Sequence, residues 1–245
     1  MTKMKFMKNV KNFSTAVRRS AYYNTKVIFS GKFIYFLIAT LAVYIFLTGI
    51  YLTNADAYLS EANIFWLLFI PGMLIVFYPI TFGIQNDVDN RTLELIFGIP
   101  NYRYKVQLVR LILIFFFTFI ILTLIGLFTS FALTAVPITQ MVPHLIIPIV
   151  FFGCLSFAVS TIIRDGNGTA VVILIIGIIF WIGREMFQEF PQFDIFINPF
   201  DMPINFSETA WEKTVADNRL YLCAGTIIAV LFGLLNLQKR EKFLS

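Results

Sequence analysis

The most unusual stretch of this 245-residue chain is residues 86–105, NDVDNRTLELIFGIPNYRYK, which lies between two long apolar runs. Its apolar and charged residues recur at helical spacing, so a helix here would have one apolar face and one polar face. Asp87 or Asp89 can cap the start of this helix, because carboxylates favour a helix N-terminus. Gly98 and Pro100 end it, since glycine adopts the left-handed conformation and proline cannot continue a helix. The pattern predicts binding chemistry: the helix either rests on lipid headgroups or docks into the apolar groove of a partner.

Residues that would carry catalysis or bind a metal are scarce in the rest of the chain. His144 is the one histidine, and no carboxylate or cysteine accompanies it at the spacing of metal ligands. Ser156, Ser160 and Thr161 lie in an apolar run, where such hydroxyls usually bond to their own helix. The chain has no P-loop, no GxSxG motif and no HExxH motif. We therefore expect no catalytic residue, no metal site and no cofactor bound by this chain.

The elements that must position residues 86–105 are predicted to be membrane-spanning helices. The chain is 58% hydrophobic and 13% charged, whereas a soluble domain carries about 25% charged residues. The apolar runs approach the length of about 20 residues that crosses a bilayer core. We predict an all-α polytopic membrane protein, with an N-terminal region over residues 1–31 and one six-helix domain over residues 32–245. The predicted spans cover residues 33–53, 62–84, 108–134, 144–163, 169–187 and 220–237.

The distribution of lysine and arginine predicts how these spans are oriented. Sixteen of the 19 basic residues fall on the side that holds both termini, and the positive-inside rule makes that side cytoplasmic. The net charge of +5 then reflects topology, and we expect no nucleic-acid partner. The spans hold essentially no ionisable residue, which argues against an intramembrane enzyme and against a proton- or sodium-driven carrier. Cys154 and Cys223 both lie in apolar runs and are predicted to be small buried hydrophobic residues.

The segments that flank the spans have roles of their own. Residues 13–31 mix basic and aromatic side chains, which is typical of an amphipathic helix along the membrane interface. Residues 1–12 are predicted to be a flexible basic tail attracted to anionic lipid. Residues 184–219 carry seven acids among aromatic side chains. We predict that this outer segment folds onto the helix ends as short interfacial pieces.

Residues 89–103 resemble one known family. The run DNRTLELI followed by PNYR is similar to the loop after the second span in the permease subunits of type-2 (ABC-2) ABC exporters. In that family an acid and G-T-L-E-L-L precede a proline and an arginine; the usual glycine is Arg91 here. The resemblance implies a coupling helix that docks into a separate ATP-binding subunit, which would hold ATP and Mg. The docking residues that it implies are Asp87, Asp89, Thr92, Leu93, Glu94, Leu95, Pro100 and Arg103.

The resemblance also implies an assembly in the membrane. A permease of this family pairs with a second copy or a paralogue in the bacterial inner membrane, and the turn at Arg164 and Asp165 would be a second contact with the ATPase. The translocation path would run between the two permeases, and a Phe-rich interior suits amphipathic or lipid-like cargo. The candidate lining residues are Tyr44, Thr48, Thr118, Thr123, Thr129 and Ser130. The alternative is a scaffold that transports nothing and recruits a cytoplasmic partner through residues 86–105.

Overall fold

The computed structural model describes residues 33–53, 60–89, 102–187 and 189–237. These residues form α-helices and short 3-10 turns, and no strand occurs among them, so the predicted all-α class is confirmed for this part of the chain. The 3-10 turns, Gly183–Phe187 and Pro191–Phe193, precede the last helix. The helices are α1 (Phe33–Thr53), α2 (Glu61–Thr81), α3 (Gly83–Asp89), α4 (Tyr102–Ala132), α5 (Ile138–Ile163), α6 (Gly166–Ile182) and α7 (Glu208–Asn236).

Five helical stretches within the described residues are long and apolar enough to cross a membrane: α1, α2 continued into α3, α4, α5 and α7. Helix α6 is equally apolar but has 17 residues, which at the rise of an α-helix gives a length of about 25 Å. These stretches fit the predicted class of polytopic helical membrane protein, and the count of six spans stays a prediction. The predicted interfacial helix over residues 13–31 and the tail over residues 1–12 lie outside the described residues.

Helix α7 begins well before the predicted start of the last span. Ser207 caps it, because its hydroxyl accepts a hydrogen bond from a backbone N–H of the first turn. The negative charge of Glu208 in that turn interacts favourably with the helix dipole. Trp211 and Val215 are buried on one face, so the early turns are held by packing. The prediction of short interfacial pieces is thus wrong for residues 208–219, whereas the two 3-10 turns fit it.

Helix α2 lies at the centre of the bundle and packs against α1, α4 and α5. One close approach is at Gly153 of α5, where an added Cβ would lie 2.8 Å from Val76 of α2 and 2.7 Å from Phe115 of α4. Pro71 and Pro79 lie inside α2. Because its neighbours enclose α2, a force applied to the end of this helix is transmitted to the whole bundle.

Candidate functional site

The bundle has two polar ends, which we name after the acidic residue that is buried at each. The Asp87 end holds α3, the first turns of α4 and α6, and the last turns of α5 and α7. The Asp194 end holds the first turns of α2 and α7, the end of α6 and both 3-10 turns. Residues 90–101, which contain most of the predicted docking helix, connect α3 to α4 at the Asp87 end.

Asp87 forms a two-point ion pair with Arg110 of α4. Arg110 donates from Nη1 to Oδ2 at 2.7 Å and from Nη2 to Oδ1 at 2.9 Å. Gln107 of α4 donates from Nε2 to the same Oδ2 at 3.1 Å. Both charges are buried, since Asp87 is 3% exposed and Arg110 is 6% exposed. The pair therefore joins α3, which precedes residues 90–101, to α4, which follows them.

This geometry differs from the expected capping role of Asp87. The residue lies inside α3, and its carboxylate binds α4 instead of the free N–H groups at a helix start. Local sequence pattern could not identify this role, because the partner lies 23 residues further along the chain. One signal was available: Arg110 is a lone cation inside an apolar run, where a charge needs a partner.

The turn between α5 and α6 packs directly on α3. Arg164 ends α5 in the left-handed conformation, with φ of 62°, and Asp165 caps α6 by accepting a hydrogen bond from Gly168 N at 2.6 Å. Gly166 N donates to Gln85 Oε1 of α3 at 2.7 Å. The turn that was predicted as a second ATPase contact is thus bonded to α3, the helix that precedes the first predicted contact.

Gly166 is required by this contact. A Cβ at this position would lie 2.6 Å from Gln85 Oε1 and would collide with the ring of Phe82. A further bond closes the same end, where Asn236 Nδ2 of α7 donates to the carbonyl oxygen of Thr161 at 2.7 Å. The last turns of α5 and α7 and the first turn of α6 therefore form one bonded layer around α3.

The remaining predicted docking residues are only partly described. Asp89 is exposed at the end of α3, and Arg103 lies in the first turn of α4. The residues that carry the family resemblance most strongly lie outside the described residues, so their docking role stays a prediction. They are Thr92, Leu93, Glu94, Leu95 and Pro100.

The hydroxyls proposed to line a path are engaged in helix packing. Tyr44 of α1 shares a hydrogen bond of 2.8 Å with Thr129 of α4, while Thr118 and Thr123 donate to carbonyls of their own helix. Ser130 bonds to the backbone of Val136 in the turn after α4. Thr48 Oγ1 is buried without a hydrogen-bond partner in the described part of the chain. These contacts leave the lining role a prediction.

The other hydroxyls behave as the sequence predicts. Ser156 donates to Phe152 O at 2.9 Å, and Ser160 donates to Phe157 O at 2.8 Å. Thr161 likewise bonds within α5, to the carbonyl oxygen of Ala158. The prediction that these groups bond to their own helix is confirmed.

The Asp194 end contains a second polar cluster. Arg184 Nε donates to Asp194 Oδ2 at 3.1 Å, and its guanidinium carbon lies 5.4 Å from the ring centre of Trp66 and 5.4 Å from that of Trp181. Asn218 of α7 donates to the carbonyl of Asp194 at 2.8 Å. The cluster fixes the 3-10 turns against α2, α6 and α7.

Ionisable residues lie within the helices that can span a membrane, although the sequence predicts essentially none there. Asp87, Arg110 and Arg219 fall within such helices and are buried. Each is held by hydrogen bonds; Arg219, for example, donates to Asn218 Oδ1 at 2.9 Å. Arg110 lies within the predicted span 108–134. Asp87 and Arg219 lie outside the predicted spans 62–84 and 220–237, and they fall within helices because those helices extend beyond the predicted limits.

Within the described residues, no group of three or more histidine, cysteine, aspartate or glutamate residues is placed to hold a metal ion. The single histidine, His144, lies edge-on to the ring of Phe200 with centroids 6.3 Å apart. Cys154 is a buried free thiol, as predicted, whereas Cys223 is exposed on the surface of α7.

Comparison with protein-family models, with curated proteins and with solved structures finds no match to this chain. The family resemblance of residues 89–103 therefore stays a prediction. A functional conclusion must rest on the geometry of the Asp87 end and on the sequence of the segment that it holds.

Proposed function

We propose that this chain is the membrane-spanning permease subunit of an ATP-driven exporter of the ABC-2 type. The observation that carries the proposal is the buried two-point ion pair between Asp87 and Arg110, at the base of the segment whose sequence resembles a coupling helix. A loop that only rested on lipid would not need its two ends bonded to each other inside the bundle. A loop that transmits force would need its two ends bonded to each other in this way.

The transmission follows from the connections of α3. This helix continues α2 through the single residue Phe82, binds α4 through Asp87, and binds α6 through Gln85. A partner that moves residues 90–101 would therefore displace three helices together. Packed helices respond to such a displacement by rigid-body rotation or shear, the motions by which transporters change access.

In this proposal the roles of the docking residues separate. Asp87 is too buried to contact a partner, so it holds the base of the loop. Leu93 and Glu94 would contact the ATPase, which binds ATP and Mg. The turn at Arg164 and Asp165 would hold α3 in place through the bond between Gly166 and Gln85. A second copy of the chain or a paralogue would complete the transporter in the bacterial inner membrane, with both termini in the cytoplasm.

The test is a purification of the tagged chain from its native membrane in a mild detergent. We expect a P-loop ATPase to co-purify at a ratio near one to one, with vanadate-sensitive ATP hydrolysis. The double substitution Leu93→Asp with Glu94→Lys should release the ATPase and leave the chain in the membrane. Glu212→Lys is the matched control, because Glu212 is exposed at the Asp194 end and the same charge reversal there should leave the complex intact.

Two results would contradict the proposal. Retention of the ATPase by the double variant would place docking elsewhere on the chain. Co-purification of a partner that lacks a P-loop, held through residues 86–105, would instead support the non-transporting scaffold.

A further inference from the structure

A cavity of about 760 Å³ opens at the Asp194 end. The 3-10 turns, the loop before α7 and the end of α6 form its walls. Its polar lining includes Arg184, Asp194 and Asp201, and its aromatic lining includes Trp181 and Trp211. The cavity is therefore a charged and aromatic chamber at the level where the helices leave the apolar core.

A second, apolar groove of about 280 Å³ runs along the bundle from the same place, between α2 and α6. Trp181 borders both the cavity and the groove. Ile197 lines the cavity, and the adjacent residue Phe196 lines the groove. Gly177 of α6 lines the groove, and a Cβ added there would meet no atom within 4 Å. Cavity and groove thus form one site with a polar part and an apolar part.

The charges of the cavity indicate what its polar part can bind. The carboxylate of Asp194 is already used, because Oδ2 accepts from Arg184 and Oδ1 accepts from Phe196 N at 2.9 Å. Asp201 is exposed and forms no ion pair with any described residue. Residues 184–219 carry seven acidic residues against three basic ones. The available charge is negative, and aromatic rings beside it favour a cation.

We propose that this site binds an amphiphile with a cationic head group. The head group lies in the cavity, against the carboxylate of Asp201, which forms no ion pair with a described residue. The hydrocarbon tail lies in the groove, beside Gly177 and Trp181. Tryptophan at this boundary suits a molecule that straddles the membrane interface. The site is formed within one chain and does not depend on the proposed ATPase partner.

Intrinsic fluorescence reports this site directly, because all three tryptophans of the chain lie at the Asp194 end. Trp66 contacts Trp181 at 5.3 Å between ring centres, and Trp211 lines the cavity. The experiment titrates the full chain, in a non-ionic maltoside detergent, with dodecyltrimethylammonium. The comparison probes are dodecanoate, which has a similar tail and an anionic head, and tetramethylammonium, which has the head without the tail.

We expect a saturable fluorescence change with the cationic amphiphile and a much weaker one with either comparison probe. Asp201→Asn should weaken binding by about fivefold, since it removes one partly solvated charge contact. Gly177→Leu should weaken it by about tenfold or more, since the side chain takes the space of several methylenes. Gly49→Leu is the matched control, because a Cβ at Gly49 of α1 also meets no atom within 4 Å; it should bind like the unchanged chain.

Three results would overturn the proposal. Equal binding of dodecanoate would remove the preference for a cationic head. Tetramethylammonium binding as tightly as the amphiphile would exclude the groove from the site. A fluorescence change that is as large in both Asp201→Asn and Gly177→Leu as in the unchanged chain would mean that the probe enters the detergent micelle and does not bind the site. Asp201→Asn alters only an exposed side chain, so it remains decisive if Gly177→Leu folds poorly.

Discussion

Breaking the ion pair between Asp87 and Arg110 should destabilise the protein more than any change to a surface ion pair. The perturbation is Arg110→Met, which keeps the length and packing of the side-chain stem but removes the charge. Asp87, at 3% exposure, would then be a buried carboxylate with only Gln107 as a side-chain donor among described residues. Removing one partner of a buried pair costs about 3–5 kcal/mol, so we expect a loss of that size in the free energy of unfolding.

The second ion pair of the described residues provides the comparison. In the pair of Arg184 and Asp194, the arginine side chain is 34% exposed, so solvent screens the interaction. Arg184→Met should therefore cost only about 1–2 kcal/mol, including its contacts with the two indole rings. The measurement is reversible unfolding in mixed micelles, followed by circular dichroism and tryptophan fluorescence, for both variants.

A double variant completes the test. Replacing Asp87 by leucine together with Arg110→Met removes both charges, and a buried pair exchanged for apolar residues is often neutral for stability. We expect the double variant to lie within about 1–2 kcal/mol of the unchanged protein. The reasoning is refuted if Arg110→Met costs no more than Arg184→Met, or if the double variant is as unstable as the single one.

Three further predictions concern other contacts of the two ends. Gly166→Ala should cost about 1–3 kcal/mol of unfolding free energy, because its methyl group would displace Phe82 and Gln85, whereas Gly183→Ala, with its nearest atom at 3.8 Å, should leave the free energy of unfolding unchanged or raise it by up to about 1 kcal/mol, because alanine favours helical backbone more than glycine does. Asn218→Leu should cost about 2–4 kcal/mol and speed amide exchange at Asp194 and Phe196, because it leaves the carbonyls of Gln192 and Asp194 without their donor. In a chain without its native cysteines, Asp201→Cys should react with an impermeant maleimide added outside the cell, and Asp89→Cys should react only after permeabilisation; the reverse pattern would contradict the predicted orientation.

The sequence predicted the helices well where an apolar run had clear ends. Residues 33–53, the predicted first span, are helical throughout, and that run carries no charge. The start of α7 was missed because its first turns are amphipathic and charged, and hydropathy treats such turns as loop. Trp211 and Val215 pack against Ile197, in the loop before α7, and this tertiary packing makes those turns helical.

The site was predicted less completely than the fold, for a related reason. A short segment with helical spacing and clear stop residues can be recognised from local chemistry, so residues 86–105 stood out. The partners that hold it are distant in sequence: Arg110 for Asp87, and Gly166 for Gln85. The cavity at the Asp194 end was not foreseen either, because its walls come from four separate elements.

Helix α6 connects the two ends. At the Asp87 end its first residue, Gly166, is bonded to Gln85 and fits against α3 without a side chain. At the other end Trp181 borders both the cavity and the groove, and the groove has α2 and α6 as its walls. Helix α2 continues into α3, so both walls of the groove are attached to the base of residues 90–101. A displacement of α3 would move α2 through the continuous chain and would move α6 through the hydrogen bond between Gly166 and Gln85. We therefore expect the width of the groove to change when the base of the predicted docking loop moves.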